Sequence, residues 1–143
     1  MKKCDVLIVS APGGHLSVAK EIFSECTYSL RYIITTKNKR KNDDLADYII
    51  ESNRDLNVIF QFIIAIQKII FYRPKIVVST GAGVAVPFFL VAKFFCVKTI
   101  FIESASRVNS LSLAGRLVYN MSNYFFVRTK YLSEKYKKAI YVQ

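Results

Sequence analysis

The sequence predicts an α/β fold in which a parallel β-sheet carries helices on both faces. Three observations lead to this prediction. Short strands and helical segments alternate along the chain. Most of the strands are apolar on both faces, as in a sheet that is buried between two layers of helices. Glycine or small polar residues follow three of the strands, at the position where such sheets bind ligands.

The first part of the chain alternates strand and helix. An apolar run at 5–10 predicts the first strand, and the two glycines behind it separate that strand from a helix at 16–25. The β-branched residues at 30–35 and the short apolar run at 47–51 predict two further strands. The segment 36–44 between them contains no apolar residue, and we expect it to be a loop.

The remainder of the chain repeats this alternation. Long apolar segments predict helices, and runs of Ile, Val and Phe predict the strands between them. These elements are a helix at 55–72, a strand at 75–79, a helix at 84–95, a strand at 98–102, a helix at 110–121, a strand at 123–127 and a helix at 129–137. The order is typical of a Rossmann-like domain, and 143 residues are enough for one such domain, residues 1–143, with its own core.

The composition is that of a folded protein, with 52% apolar residues, five glycines and three prolines. Three widely spaced cysteines and a single histidine do not make a zinc or disulfide pattern, so we expect no metal and a reducing compartment. Cys4 and Cys96 are expected to fill the core. The apolar run near the N-terminus is too short for a secretory signal, which favours the cytoplasm.

The net charge of +11 is concentrated in the second part of the chain. Residues 1–55 contain 9 basic and 8 acidic side chains, whereas residues 56–143 contain 12 basic side chains and only Glu103 and Glu134 as acids. This asymmetry indicates an anionic partner: a nucleic acid, an anionic membrane surface or a phosphorylated ligand. A basic surface that serves solubility alone remains an alternative.

Two predicted helices are more apolar than a helix packed on a sheet requires. In 56–71 the polar residues Asn57, Gln61 and Lys68 form one narrow stripe with Ala65, and in 84–97 Lys93 is the only charge. Neither segment has the roughly 20 apolar residues that cross a bilayer. We expect the surplus apolar surface to contact a membrane interface or another protein, although deeper burial inside the domain would also account for it.

Common nucleotide-binding and hydrolase motifs are absent. The first glycine turn, APGGHL, lacks the third glycine of the dinucleotide pattern, and no carboxylate follows the second strand. An NADP-type site that uses Lys37 or Arg40 remains a minor alternative. The chain contains neither a Walker loop nor a G-x-S-x-G motif. We therefore expect no nucleotide cofactor.

Three loops at strand ends carry the strongest functional signal. They are SAPGGHL at 10–16, STGAGVAVP at 79–87 and FIESASR at 101–107, which continues as VNSLSLAG to residue 115. Backbone N–H groups at the start of a helix favour an anion in the crevice before it. The three loops together predict one composite site.

These segments resemble the membrane-associated subunit of the split N-acetylglucosaminyltransferase that adds the second sugar of the dolichol-linked oligosaccharide, a family with bacterial relatives in capsular and exopolysaccharide synthesis. The resemblance covers nearly the whole chain, including its ending KAIYV. The first two loops are also similar to the acceptor half of the lipid-linked peptidoglycan glucosaminyltransferase. The resemblance implies the N-terminal half of a GT-B glycosyltransferase.

The family implies a subunit that is inactive alone and binds the acceptor, while a separate donor-binding chain holds the UDP-sugar. The acceptor would be a polyprenyl-diphosphate-linked saccharide at the cytoplasmic face of the membrane. We expect the diphosphate to be bound by Gly13, Gly14, Gly81, Ala82, Gly83, Ser104 and Arg107.

Two residues are candidates for catalysis. His15 could be the general base on the acceptor hydroxyl, because an imidazole titrates near neutral pH, or it could hold the loop in place. Glu103 could compete for the same role or pair with Arg107.

Two other functions compete with the half-enzyme. A nucleic-acid-binding module would expose aromatic side chains among its basic residues, but the pairs Phe88–Phe89, Phe94–Phe95 and Phe125–Phe126 fall in apolar runs that predict burial. We therefore expect no nucleic-acid partner. A non-catalytic membrane anchor or activator of a separate glycosyltransferase chain remains the main alternative.

Overall fold

A computed structural model describes residues 3–36, 48–51, 57–81 and 83–142, with side chains for all of these except 34–36, 48–51 and 57–58. The predicted loop at 36–44 falls almost wholly outside the described residues. The strands are β1 (Val6–Ser10), β2 (Leu30–Thr36), β3 (Tyr48–Glu51), β4 (Ile76–Ser79), β5 (Lys98–Ile102), β6 (Tyr124–Val127) and β7 (Ala139–Tyr141). The helices are α1 (Gly14–Ile22), α2 (Asn57–Tyr72), α3 (Ala85–Phe94), α4 (Leu113–Val118) and α5 (Lys130–Lys135).

All seven strands of the described sheet are parallel, in the order β3-β2-β1-β4-β5-β6-β7. From β1 the chain adds β2 and β3 on one side of the sheet. It then returns to the other side of β1, where β4 pairs with it and β5, β6 and β7 follow outward. The carboxyl ends of β1 and β4 are therefore adjacent at the point where the strand order reverses, which is where this type of sheet forms its ligand crevice. The strand β7 was not predicted, because three residues are too few to show a periodic pattern.

Alternating side chains of β1 enter two cores, one on each face of the sheet. Leu7 and Val9 belong to the larger core, which α2, α3, α4 and α5 cover, whereas Val6 and Ile8 belong to the smaller core, which Ala19 of α1 joins. The larger core includes a stacked pair of rings, Phe101 and Phe125, with centroids 5.1 Å apart. The predicted parallel sheet with helices on both faces is confirmed.

Several boundaries and burial predictions differ from the structure. The helix predicted at 110–121 is limited to Leu113–Val118, because the Ser112 side chain caps its start. Cys4 is buried as expected, but Cys96 is exposed. Cys96 occupies the turn between α3 and β5 in the left-handed region, with φ of 56°. Phe94, the last residue of α3, and Phe95 directly after it are also exposed, so the prediction that they are buried was wrong.

Candidate functional site

The three loops predicted to form one site meet at the carboxyl edge of the sheet. Val9 of β1 lies opposite Ser79 of β4, and Ser79 lies opposite Phe101 of β5, so the loops that follow these strands start side by side. The loop after β1 leads into α1, the loop after β4 into α3, and the loop after β5 into α4.

A reciprocal pair of hydrogen bonds fixes His15 against Thr80. The imidazole Nδ1 lies 2.7 Å from the Thr80 carbonyl oxygen, and the Thr80 hydroxyl donates to the His15 carbonyl at 2.7 Å. Because a carbonyl oxygen only accepts, Nδ1 must carry the proton. In the neutral ring the Nε2 atom therefore keeps its lone pair, and no described residue forms a hydrogen bond with it.

Gly81 lets the imidazole approach the second loop. Its φ is +123°, and a Cβ atom at this position would lie 2.7 Å from Cε1 of His15. The Gly81 N–H is directed to the Ser79 hydroxyl at 3.3 Å, and this hydroxyl donates to the Gly81 carbonyl at 3.0 Å. The structure thus shows Gly81 as the contact surface of His15, a role that the sequence did not predict.

Glu103 is 2% exposed and is bound to its own loop. Its Oε1 accepts from the Ser104 N–H at 3.0 Å, and its Oε2 accepts from the N–H and the hydroxyl of Ser112 at 2.9 and 3.0 Å. Ser112 in turn accepts from the Gly115 N–H and caps α4. Within the described residues Glu103 and Arg107 do not form the expected ion pair, because the loop turns Ser112 toward the carboxylate and leaves Arg107 exposed.

Two cavities border His15. The larger one, about 520 Å³, lies between α1 and the loop after β5, and its lining includes Gly14, His15, Thr80, Glu103 and Arg128. The smaller one, about 270 Å³, includes His15, Gly81, Gly83, Ser104 and Arg107 in its lining. His15 is therefore placed where groups in either cavity could reach it.

The predicted site residues are gathered at this edge of the sheet, apart from Ala82, which lies outside the described residues. Gly13 precedes α1 with φ of 86° and is exposed. Arg128 was missed by the sequence analysis, although it directly follows the last residue of β6 and so had to lie at the same edge. No group of three or more His, Cys, Asp or Glu side chains that could hold a metal occurs among the described residues.

The described part of the polar stripe of α2, Gln61, Ala65 and Lys68, lies on the side toward the protein, whereas many large apolar side chains of α2 are exposed. Ala65, which lies on the stripe with Gln61 and Lys68, is fully buried. Burial lowers the pKa of Lys68. The large apolar side chains exposed on α2 are Ile59, Phe60, Ile63, Ile66, Ile70 and Phe71, which we call the α2 apolar face. None of the helices in the described ranges has the length and apolar character needed to span a membrane.

Comparison with known proteins identifies the family of this chain. The model of the family described as "Oligosaccharide biosynthesis protein Alg14 like" matches residues 49–143, which is more than half of the sequence. The chain belongs to the Alg14 family. The match includes the second and third loops of the site, together with the α2 apolar face.

The curated Alg14 relatives carry the name UDP-N-acetylglucosamine transferase subunit. The protein from Rattus norvegicus is 34% identical over 76 residues, which make up 49% of this chain and 35% of the relative. The match with the protein from Candida albicans is 25% identical and covers 99% of this chain and 78% of the relative. In the rat protein the matched segment is thus about a third of the full length.

A solved structure of similar fold has a much longer chain. The UDP-GlcNAc 2-epimerase of Methanocaldococcus jannaschii, in complex with UDP-GlcNAc and UDP, superimposes with a TM-score of 0.76 at 17% identity. The superposition covers 96% of this chain and 46% of the epimerase. This likeness confirms the Rossmann-like fold and shows that the chain spans less than half of that protein.

Proposed function

We propose that this chain is the acceptor-binding, membrane-associated subunit of a two-chain glycosyltransferase. The complex transfers a sugar from a UDP-sugar to a polyprenyl-diphosphate-linked saccharide, in lipid-linked oligosaccharide or capsular polysaccharide synthesis. Membership of the Alg14 family and the transferase-subunit names of its relatives support this proposal. A separate donor-binding chain supplies the UDP-sugar site, and this chain is inactive without it.

The observation that carries the proposal is the orientation of the His15 imidazole. Its Nδ1 proton is held by the Thr80 carbonyl, so the lone pair of Nε2 is free to accept a proton. In the proposed step the acceptor hydroxyl oxygen forms a bond to the anomeric carbon of the donor sugar. Nε2 takes the hydroxyl proton, and the bond from the anomeric carbon to UDP breaks with its electron pair leaving on UDP.

The diphosphate of the acceptor binds beside the base. The helix α1 begins without a capping side chain and without an acidic residue in its first turn, so N–H groups at Gly14 and the following residues remain available to an anion. Arg107 lines the smaller cavity and Arg128 lines the larger one, and both add positive charge to the proposed binding site. Gly13, Gly81, Ala82, Gly83 and Ser104 complete the proposed binding loops. Glu103 acts through its loop, which it ties to β5.

The His15→Asn variant tests the base assignment in the reconstituted two-chain complex. Asparagine places an amide N–H donor near the position of Nδ1, so it can keep the bond to the Thr80 carbonyl while it removes the base. We expect the turnover of a UDP-sugar with a polyprenyl-diphosphate acceptor to fall by roughly 100- to 10,000-fold. Folding should be preserved, as measured by circular dichroism and by assembly with the partner chain.

The matched variant His15→Ala removes both the donor and the base. If His15→Asn retains near-normal turnover while His15→Ala loses it, then the side chain is a loop anchor and the base assignment is wrong. If both variants retain turnover, His15 is not the base, and a membrane anchor or activator of the catalytic chain becomes the favoured role unless Glu103 supplies the base.

The α2 apolar face supports binding at the cytoplasmic surface of a membrane. A lipid-linked acceptor stays in the bilayer, so the site must lie close to it. The face presents Ile and Phe side chains from a part of the chain that contains only two acids, of which Glu103 is buried. Apolar side chains that enter the interface, together with basic residues near anionic head groups, are typical of peripheral membrane proteins.

Flotation with anionic liposomes tests this surface. We expect Ile66→Gln together with Ile70→Gln to weaken liposome binding by roughly tenfold or more, because two apolar side chains no longer leave water. The control pair, Tyr28→Gln and Ile140→Gln, removes exposed apolar side chains outside α2 and should bind nearly as the wild type does. Equal loss in the two pairs, or no binding by the wild type at low salt, would exclude the α2 apolar face as the membrane contact.

A further inference from the structure

A separate cavity lies at the amino edge of the sheet, opposite the candidate site. It has a volume of about 570 Å³ and lies where β5, β6 and β7 begin. Three lysines line it, Lys93, Lys98 and Lys138, together with the polar residues Asn120, Ser122 and Asn123. No carboxylate is part of this lining. We call this space the lysine cavity.

Lys138 is held in place by the end of α4. Its Nζ donates to the carbonyl oxygens of Ser122 and Tyr119, the latter at 3.2 Å. An ammonium group has three N–H donors, so one remains after these two bonds. Burial and, to a lesser extent, the positive charge of Lys93 lower the pKa of Lys138. The positive charges of Lys93 and Lys138 therefore repel each other, and no acid in the cavity lining relieves the repulsion.

Lys93, Lys98 and Asn123 add further donors to the lining of the lysine cavity. Lys93 and Lys98 are exposed, and within the described residues neither side chain has a hydrogen bond or ion pair. The Asn123 side-chain oxygen accepts from the Thr99 N–H at 2.8 Å and from its hydroxyl at 3.2 Å, which leaves the amide N–H₂ of Asn123 without a bond among the described residues. The side chains of the lysine cavity thus offer positive charge and free N–H groups.

We propose that the lysine cavity binds a phosphate monoester group. A compact dianion with several acceptor oxygens matches three ammonium groups and an amide donor, and its charge removes the repulsion between the lysines. This site is separate from the acceptor site, because it lies at the other edge of the sheet. Its test requires neither the partner chain nor turnover, so its outcome is independent of the proposed transferase function.

Two aromatic side chains beside the lysine cavity indicate where the phosphate group comes from. Phe94, at the end of α3, is 83% exposed, and its ring contacts that of Phe95 edge-on at 5.4 Å between centroids. Exposed Phe rings next to lysines occur at membrane interfaces as well as on nucleic-acid-binding surfaces, and the apolar character of α3 favours a membrane interface here. A phosphate monoester carried by a lipid head group therefore fits the surroundings, and a soluble phosphate ester shares the same binding chemistry.

Titration of the full chain with inorganic phosphate tests the site directly. We expect saturable binding, observed as shifts of the backbone amide resonances around the lysine cavity. The pair Lys93→Gln and Lys98→Gln should weaken phosphate binding by roughly tenfold or more. The control pair, Lys20→Gln and Lys130→Gln, changes the net charge equally and should bind phosphate nearly as the wild type does. The proposal is wrong if phosphate binding to the wild type does not saturate, or if the two pairs of substitutions weaken phosphate binding equally.

A second arm distinguishes the two sources of the phosphate group. Vesicles of phosphatidylcholine with phosphatidic acid are compared with vesicles that contain phosphatidylglycerol at matched surface charge. Preference for phosphatidic acid that is lost in the Lys93→Gln and Lys98→Gln pair assigns the site to a lipid head group. Equal binding to both vesicles, with phosphate binding intact in solution, assigns it to a soluble phosphate ester. Because Lys138 stays unchanged in every variant, the end of α4 keeps its contacts.

Discussion

The loops that follow β1 and β5 each bring one candidate for acid–base chemistry to the same edge of the sheet, but they hold it differently. Both oxygens of the Glu103 carboxylate accept hydrogen bonds from its own loop, and the side chain is almost fully buried. The His15 ring is half-buried and uses one nitrogen for a bond to the neighbouring loop. The second nitrogen has no bond among the described residues.

This difference assigns separate roles to two residues that the sequence could not distinguish. A carboxylate whose lone pairs are engaged by three donors is well suited to fix a loop and poorly suited to take a proton from a substrate. An imidazole that is oriented by one nitrogen and open at the other has the geometry of a general base.

Apart from the His15 variants, the largest effect is expected for Gly81→Ala, which moves the His15 ring. The new Cβ atom would lie within 3 Å of two imidazole atoms. The backbone φ at this position is +123°, which residues other than glycine rarely adopt. We expect turnover of the reconstituted complex to fall by about 100-fold, because a small displacement of a catalytic group is costly. The stability of the chain should also decrease, as measured by urea unfolding.

Gly83→Ala is the matched control, because nothing lies within 4 Å of the Cβ position at Gly83 and its φ is not positive. We expect this variant to unfold at nearly the urea concentration of the wild type. Introducing His15→Ala into Gly81→Ala should recover part of the lost stability, since the ring that clashes is gone. If the loss of stability in the double variant equals the sum of the losses in the two single variants, then the contact between Gly81 and His15 does not cause the instability of Gly81→Ala.

The next largest effect concerns Glu103 and is an effect on stability. In Glu103→Ala, the Ser104 and Ser112 N–H groups lose their buried acceptor, so we expect a loss of about 3 kcal/mol in the free energy of unfolding. Glu103→Gln keeps the shape of the side chain, but its N–H₂ group faces the donors that one carboxylate oxygen accepts from. We expect this variant to lose about 1 to 2 kcal/mol in the free energy of unfolding. Urea unfolding of the three proteins measures both values.

Turnover per folded molecule then separates the two roles of Glu103. A loop anchor predicts that Glu103→Gln loses far less turnover than His15→Asn does. A Glu103→Gln variant that is as stable as the wild type and nearly inactive would show that Glu103 is the base, and it would reverse the comparison between the two loops.

The sequence predicted the fold well because long-range order follows from local patterns in this class of protein. Apolar runs such as 98–102 and the glycine turn at Gly13 determine where strands end, and the parallel sheet then places those ends together. Arg128 could have been found by the same reasoning.

Side-chain partners were harder to predict. Glu103 is followed by several charged or polar candidates, among them Arg107, Ser110 and Ser112, and only the path of the loop selects Ser112. Similarly, the polar stripe of α2 predicts which side of the helix differs from the rest, but not which side faces the core. The inward position of Ala65 decides this, since a small residue lets α2 pack closely.

The smallest expected effect belongs to a carboxylate outside both loops, Asp5, which provides a contrast with buried Glu103. Asp5 pairs with Lys75 at 2.8 Å, where the Lys75 side chain is 79% exposed, and it accepts from the Ser29 N–H at 3.2 Å. These contacts, led by the bond from Lys75, lower the pKa of Asp5 below 3.8. A carboxyl group with a lowered pKa stabilises the folded state at any pH above its ordinary pKa. This contribution disappears as the pH falls through the folded-state pKa.

We expect Asp5→Asn to unfold at a slightly lower urea concentration than the wild type at neutral pH, with the difference vanishing in acid. A difference that persists at low pH would show that the Asp5 carboxylate acts through something other than its charge.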